Sequence, residues 1–186
     1  MKHHPAVLIT GASTGIGESC ARRLDAGGYR VFAGVRNPAD GDRLRSGASN
    51  RLCPIPLDVT SSDQIAAAVA TVTSALGDAG LDGLINNAGI AVGGPLEHIT
   101  SEDLRRQLEV NVIGLHAVTV GCLPLLRRAH GRIVHIGSIA GRITSPFTGP
   151  YSASKHAVEA LADALRLELA PEGIHVAVIE PGQIRT

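Results

Sequence analysis

The sequence predicts an α/β fold: a three-layered, doubly wound parallel sheet with strands in the order 3-2-1-4-5-6. Three observations carry that prediction. Six short apolar runs alternate with longer helical patterns, the connections between them are short, and a glycine cluster, Gly11 to Gly17, follows the first run. Alternation of this kind is met by right-handed crossovers that place helices on both faces of a parallel sheet. At 186 residues the chain has the size of one domain, residues 1–186, with enough length to bury a core.

Composition removes several function classes. Seventeen basic and 17 acidic residues cancel, and the pI lies near 7.1, so charge gives no reason to expect nucleic acid or an anionic membrane as partner. The absence of Trp, with two Phe and two Tyr, leaves few platforms for stacking bases. Cys20, Cys53 and Cys122 are scattered without CxxC spacing and read as reduced thiols, which makes a cytoplasmic location the expectation. The residues before Ala6 do not resemble a signal peptide. The most apolar region, Val110 to Leu126, contains Asn111, His116 and Pro124 and is expected to fall short of a membrane span. No metal-ligand set is expected.

The first strand is Ala6 to Thr10, and a helical pattern runs from Glu18 to about Ala26. The turn between them has the spacing G-x-x-x-G-x-G (Gly11, Gly15, Gly17). Strand, glycine turn and helix together let the backbone approach a pyrophosphate at a helix N-terminus, where free N–H groups favour anions. The second strand, Arg30 to Val35, ends at Arg36. A carboxylate at this place suits the ribose hydroxyls of NAD, whereas a guanidinium suits a 2′-phosphate. Arg36 therefore favours NADP(H) over NAD(H), with Arg43 or Arg45 as assistants. The third strand, Leu52 to Leu57, contains Pro54 and Pro56 and belongs at a sheet edge.

Asp58 and Val59 leave that strand, and Thr60 is the expected N-cap of a helix reaching about Leu76. Asp58 either bonds an adenine amino group or closes the turn. Leu81 to Ile85 forms the fourth strand, followed by Asn86-Asn87-Ala88-Gly89, small and polar residues suited to close backbone approach. Thr100 caps a long helical segment to about Ala129, which Pro124 is expected to kink. Arg132 to Ile136 is the fifth strand and delivers Ser138 to the carboxyl edge. Pro150 fits the first position of the next helix. His175 to Ile179 is the sixth strand, followed by Pro181-Gly182.

That helix carries Tyr151 and Lys155, four residues apart and so on one face. A phenol is a weak acid, with an ordinary pKa of about 10, and a neighbouring cation favours its phenolate. The pair reads as a tuned acid/base, set against a chance pairing on an exposed helix.

Thr10-Gly11-x-x-x-Gly15-x-Gly17, Asp58, Asn86-Asn87-Ala88-Gly89, Asn111, Ser138, Tyr151-x-x-x-Lys155 and Pro181-Gly182 occur in the order of the short-chain dehydrogenase/reductase family, which the whole chain resembles. Arg36 resembles its NADP(H)-preferring members. The resemblance implies a Rossmann-like fold and assigns roles residue by residue. Gly11, Gly15 and Gly17, with Ser13, Thr14 and Ile16, would surround the pyrophosphate. Arg36 would pair with the 2′-phosphate, Asp58 and Val59 would hold the adenine, and Asn87, Ala88 and Gly89 would line the adenosine side.

Tyr151 would be the general acid/base and Lys155 would hold the nicotinamide ribose. Ser138 would bond the substrate oxygen, and Asn111 would anchor a water beside Lys155. Pro181, Gly182, Ile184 and Thr186 would lie along the nicotinamide. The implied reaction is hydride transfer between NADP(H) and a secondary alcohol or ketone, lipophilic in character, in a homodimer or homotetramer. The family continues past Pro-Gly into a substrate loop and a seventh strand, whereas this sequence stops at Thr186. Truncation, with weak catalysis or a cofactor-binding or scaffold role, is the alternative expectation.

Overall fold

A computed structural model describes residues 4–184. Six parallel strands form one sheet in the order β3-β2-β1-β4-β5-β6. They are β1 (Ala6–Ile9), β2 (Arg30–Val35), β3 (Leu52–Pro56), β4 (Gly83–Asn86), β5 (Arg132–Ile136) and β6 (His175–Ile179). The predicted strand order holds, and β3, with its two prolines, is an edge strand.

Register explains why the core closes. Phe32, Leu8, Leu84, Ile133 and Val176 stand in one row across five strands. All five are buried against α3 (Ser62–Leu76), α5 (Leu115–Ala129) and α6 (Gly149–Leu169), where Val72, Val118, Leu125 and Ala162 meet them. The alternate residues Val7, Ile9, Val31 and Val35 face the other way, onto Ala21 of α1 (Gly15–Ala26) and Leu44 of α2 (Pro38–Arg45). Each fully buried Leu or Phe contributes roughly 1.5–3 kcal/mol of transfer free energy. A one-residue slip would exchange the two faces.

Several boundaries differ from the sequence reading for local reasons. Helix α1 begins at Gly15 instead of Glu18, with Thr14 as its N-cap and a left-handed φ of +58° at Gly15 where the turn enters the helix. Helix α2 was not expected, although Asn37 caps it by accepting from the Ala39 N–H at 3.1 Å and Pro38 opens it. Ser61 caps α3 in place of Thr60, accepting from the Gln64 N–H at 3.3 Å. Pro150 sits one position inside α6, which Gly149 opens. Strand β4 is displaced to Gly83–Asn86, and β3 stops at Pro56.

The long segment from Thr100 is the largest departure. Thr100 caps α4 (Ser101–Leu108), but Glu109–Gly114 then forms a π-helical segment before α5 resumes. The interruption surrounds Asn111, and α5 runs through Pro124 as a helix. Contrary to the expectation from sequence, Ser101–Ala129 is long and apolar enough to cross a membrane by length and composition. Its inner residues Leu115, Val118, Cys122, Leu125 and Leu126 are buried in this fold's core.

Candidate active site

Two grooves meet along the carboxyl edge of the sheet. The first is lined by Gly11, Ser13, Gly15, Arg36, Asp58 and Val59, and the second by Ser138, Tyr151, Lys155, Pro181 and Ile184. They share Ile16, Asn87, Gly89 and Ile90, so they form one continuous trough.

The first groove is built from backbone. Gly11 and Gly15 have φ of +63° and +58°, conformations that L side chains rarely adopt. A Cβ on Gly17 would lie 2.3 Å from the Gly11 carbonyl oxygen and 2.5 Å from Asn87 Nδ2, so only glycine fits there. Asn87 fastens the turn: its Nδ2 donates to the carbonyls of Thr10 and Gly11 at 3.0 and 2.8 Å. Thr10 Oγ1 accepts in return from the N–H groups of Asn87 and Ala88, at 3.0 and 2.9 Å.

No side chain caps α1 at Thr14, which leaves first-turn N–H groups directed at the groove. These features fit a dinucleotide phosphate. Glu18, also in that turn, is paired with Arg22 and Arg43 at 3.0 and 2.9 Å, and the Arg43 hydrogen bond chiefly holds its carboxyl below the usual range.

At the groove's far end Arg36 is exposed and lines the wall with Asp58. Asp58 closes its own turn, Oδ1 accepting from the Thr60 N–H at 2.9 Å and the Thr60 hydroxyl at 2.8 Å. The Thr60 N–H is the largest influence holding its carboxyl below the usual carboxylate range, and the Arg36 charge adds to it. Arg43 is not placed as an assistant to Arg36: its guanidinium is committed to Glu18 and the Ser13 carbonyl. Arg45 lines a small neighbouring cavity with Pro54 and Pro56, and Arg36 stands between that cavity and the groove, lining both. Arg106 and Val110 also line the first groove, which sequence reading missed. Only their spacing of four, from α4 into the π-helical segment that follows it, could have signalled it.

The second groove is built from side chains. Ser138 is 7% exposed and follows β5, its Oγ accepting from the Ala140 N–H at 3.1 Å and, among the described residues, donating its own proton to no protein acceptor. Tyr151 and Lys155 share a face of α6, with the Lys155 ammonium 5.7 Å from the Tyr151 ring centroid. Lys155 Nζ donates to the Ile136 carbonyl at 2.7 Å. Burial pushes its pKa down to about 8, against the opposing pull of the Glu159 carboxylate.

Asn111 is buried and does not line the trough. Its Oδ1 accepts from the Ile90 N–H at 2.9 Å, and its Nδ2 donates to the Ile90 carbonyl and Ser154 Oγ at 3.0 and 3.1 Å. Gln107 repeats the grip one turn earlier, Nε2 donating to the Ile90 carbonyl at 2.9 Å and Oε1 accepting from the Val92 N–H at 2.6 Å. The side chains of Asn111 and Gln107 therefore hold the loop after Gly89 against α6. Pro181, Gly182 and Ile184 line the second groove, while Thr186 lies outside the described residues. Among the described residues no cluster of three or more His, Cys, Asp or Glu could hold a metal ion.

Comparisons with known proteins agree with this geometry. The family model described as short chain dehydrogenase matches residues 5–186. Human "Retinol dehydrogenase 16" is 45% identical over 181 residues, and bovine "17-beta-hydroxysteroid dehydrogenase type 6" is 48% identical over 181 residues. Each alignment covers 97% of this chain and 57% of the relative, so the chain spans little more than half their length. A solved short-chain dehydrogenase from Streptomyces avermitilis superposes with a TM-score of 0.94 at 35% identity, covering 100% of this chain and 68% of that one. ElxO with NADP bound gives 0.92 at 29% identity, covering 98% and 75%. A Brucella melitensis 3-ketoacyl-(acyl-carrier-protein) reductase complexed with NADH gives 0.91 at 29%, covering 96% and 75%. With a family model spanning nearly its whole length and the same doubly wound sheet, this chain belongs to the short-chain dehydrogenase/reductase family.

Proposed function

We propose that this domain transfers a hydride between NADP(H) and a lipophilic secondary alcohol or ketone, with Tyr151 moving the proton. The observation that carries the reading is the convergence of Ser138, Tyr151 and Lys155 on one wall of a trough that continues into the phosphate-suited glycine turn. The cofactor, when bound, supplies the hydride chemistry. Gly11, Gly15, Gly17, Ser13, Thr14 and Ile16 shape the pyrophosphate seat. Arg36 selects the 2′-phosphate, with no carboxylate at the adjoining Val35 or Asn37 to oppose it. Asp58, Val59 and the Asn87-Ala88-Gly89 loop enclose the adenosine.

Tyr151 donates its hydroxyl proton to the carbonyl oxygen in reduction and accepts one from the alcohol in oxidation. Ser138, with its own proton free, donates to the same oxygen as charge develops there. Loss of one such donor costs about a hundredfold or more in rate. Lys155, held by the Ile136 carbonyl, offers its remaining protons to the ribose. Asn111 acts by fixing the loop that faces Lys155. Exposed Ile139, Ile143 and Phe147, between Ser138 and Tyr151, support a lipophilic substrate.

The reading includes a cytoplasmic location, supported by the three free cysteines, and a homodimer or homotetramer, supported by exposed Ile113, Val120 and Leu167 on the two long helical segments. Light scattering showing a monomer at micromolar concentration would remove the assembly, and recovery of tagged protein in salt-washed membranes would remove the location. The central test mixes the chain with NADPH, follows the shift in its fluorescence, and then measures NADPH oxidation with a panel of lipophilic ketones. Binding and turnover are expected. Binding without turnover favours the cofactor-binding or scaffold alternative.

A further inference from the structure

Tyr151, Lys155 and Glu159 follow one another at four-residue intervals along one face of α6, and the third takes no part in proton transfer. Glu159 is 7% exposed. Its Oε2 accepts from Arg142 Nη2 at 3.0 Å, while its Oε1 is buried and has no hydrogen-bond partner among the described residues. That oxygen faces the two glycines on either side of Ser138. A Cβ on Gly137 would come within 3.0 Å of Oε1, and one on Gly141 within 3.2 Å of Glu159 Cγ. Glycine at both places lets the turn Ile139–Gly141 settle directly on the Glu159 side chain.

Arg142 ends that turn and reaches two ways. Besides Glu159, its Nε and Nη2 donate to Glu180 Oε1 at 3.0 and 2.8 Å. Glu180 directly precedes Pro181, whose carbonyl accepts from the Ile139 N–H at 3.1 Å, and the Gly137 N–H donates to the Ile179 carbonyl at 2.8 Å. The geometry points to Glu159, Arg142 and Glu180 as positioning residues, an ionic clip that holds the Ser138 turn and the Pro181-Gly182 stretch in register with Tyr151 and Lys155. The catalytic meaning of the clip rests on the hydride-transfer reading. Its mechanical meaning does not.

The Arg142–Glu180 contact alone is a surface ion pair, which ordinarily contributes little. Glu159 changes the balance, because removing Arg142 strands a buried carboxylate above the substrate wall. The local response is for the turn to lift and admit water.

The test uses the 186-residue chain with Arg142→Met, Arg142→Lys, Glu159→Gln and the Arg142→Met/Glu159→Gln double variant. Amide hydrogen exchange is read residue by residue, and NADPH affinity and turnover are measured with lipophilic ketones as the probe. In Arg142→Met the Gly137 and Ile139 amides are expected to exchange about tenfold faster while β1, β2 and α1 amides are unchanged. Turnover should fall about tenfold with NADPH Kd within twofold, and Arg142→Lys should recover part of it. The double variant should be no worse than Arg142→Met, because it also removes the stranded charge. Unchanged exchange at those two amides, uniform acceleration through the sheet, or additive losses would each overturn the clip. If the unmodified chain lacks turnover but the two amides respond as expected, the clip stands and the hydride-transfer reading falls.

Discussion

The two ends of the trough are built from different materials. The glycine-turn end uses backbone: left-handed glycines, uncapped N–H groups and an asparagine fastening one loop to another. The Tyr151 end uses buried polar and charged side chains, with Lys155, Ser138, His135 and Glu159 all at most 7% exposed. A backbone seat tolerates no added atom but is insensitive to pH. A side-chain site can keep its shape on substitution while its protonation and polarity shift. The difference is one of physics: steric exclusion rises steeply with each atom, whereas desolvated charge acts over several ångströms.

Perturbing the two ends separately should therefore give different signatures. The largest effect is expected from Tyr151→Phe, which keeps the ring beside Lys155 and removes only the transferable proton. Turnover should drop by about a thousandfold or more, while NADPH affinity measured by fluorescence stays within about twofold. Full activity in that variant would sink the assignment. Gly17→Ala should give the reverse pattern. A methyl group 2.3 Å from the Gly11 carbonyl oxygen must displace the turn, and NADPH affinity should fall by about a hundredfold. Unchanged affinity would show that the turn is not the phosphate seat.

A third perturbation concerns stability. His135 is fully buried, with Nδ1 3.2 Å from Asn86 Nδ2, and burial, helped by the Lys155 charge, pushes its pKa down to about 4. The unfolded chain then binds a proton that the folded one refuses. Stability from this group is complete above the ordinary histidine pKa of about 6.5 and is lost as pH falls towards about 4. The loss should be on the order of 2–3 kcal/mol in urea titrations over that window, and His135→Asn should flatten it. A parent chain equally stable across the window would contradict the neutral, buried imidazole. The smallest effect is expected at the exposed Arg36: Arg36→Asp should shift the NADP-to-NAD affinity ratio by about tenfold. An unchanged ratio would return Arg36 to a solvated loop charge.

The sequence was most informative where a pattern is local. Apolar runs gave all six strands, the prolines of β3 marked an edge, and Tyr151 and Lys155 were placed on one face by helical spacing alone. It was least informative where several side chains compete for the same partner. Thr60 is a good cap by composition, but the carboxylate of Asp58 claims its hydroxyl and Ser61 takes the role. The Asn111 and Gln107 amides turn to the Ile90 loop, in the stretch where the helix opens into a π-helical segment. Arg106 reaches the first groove only through the placement of α4 along it.

The alternation of elements, the glycine turn and the spacing that puts a phenol and an ammonium together were legible because they are local. These follow from backbone sterics and the periods of helix and strand, which act over a few residues. The surroundings of Tyr151 and Lys155 come instead from long-range contacts: the Ile136 carbonyl on Lys155, the Ile90 loop braced on Asn111, and the Glu159–Arg142–Glu180 contacts beside the Ser138 turn. Those partners lie 17 to 43 positions apart in the chain, as with Glu159 and Arg142 or Asn111 and Ser154. Nothing in local periodicity encodes such pairings, and desolvation at the carboxyl edge of the sheet makes each of them matter.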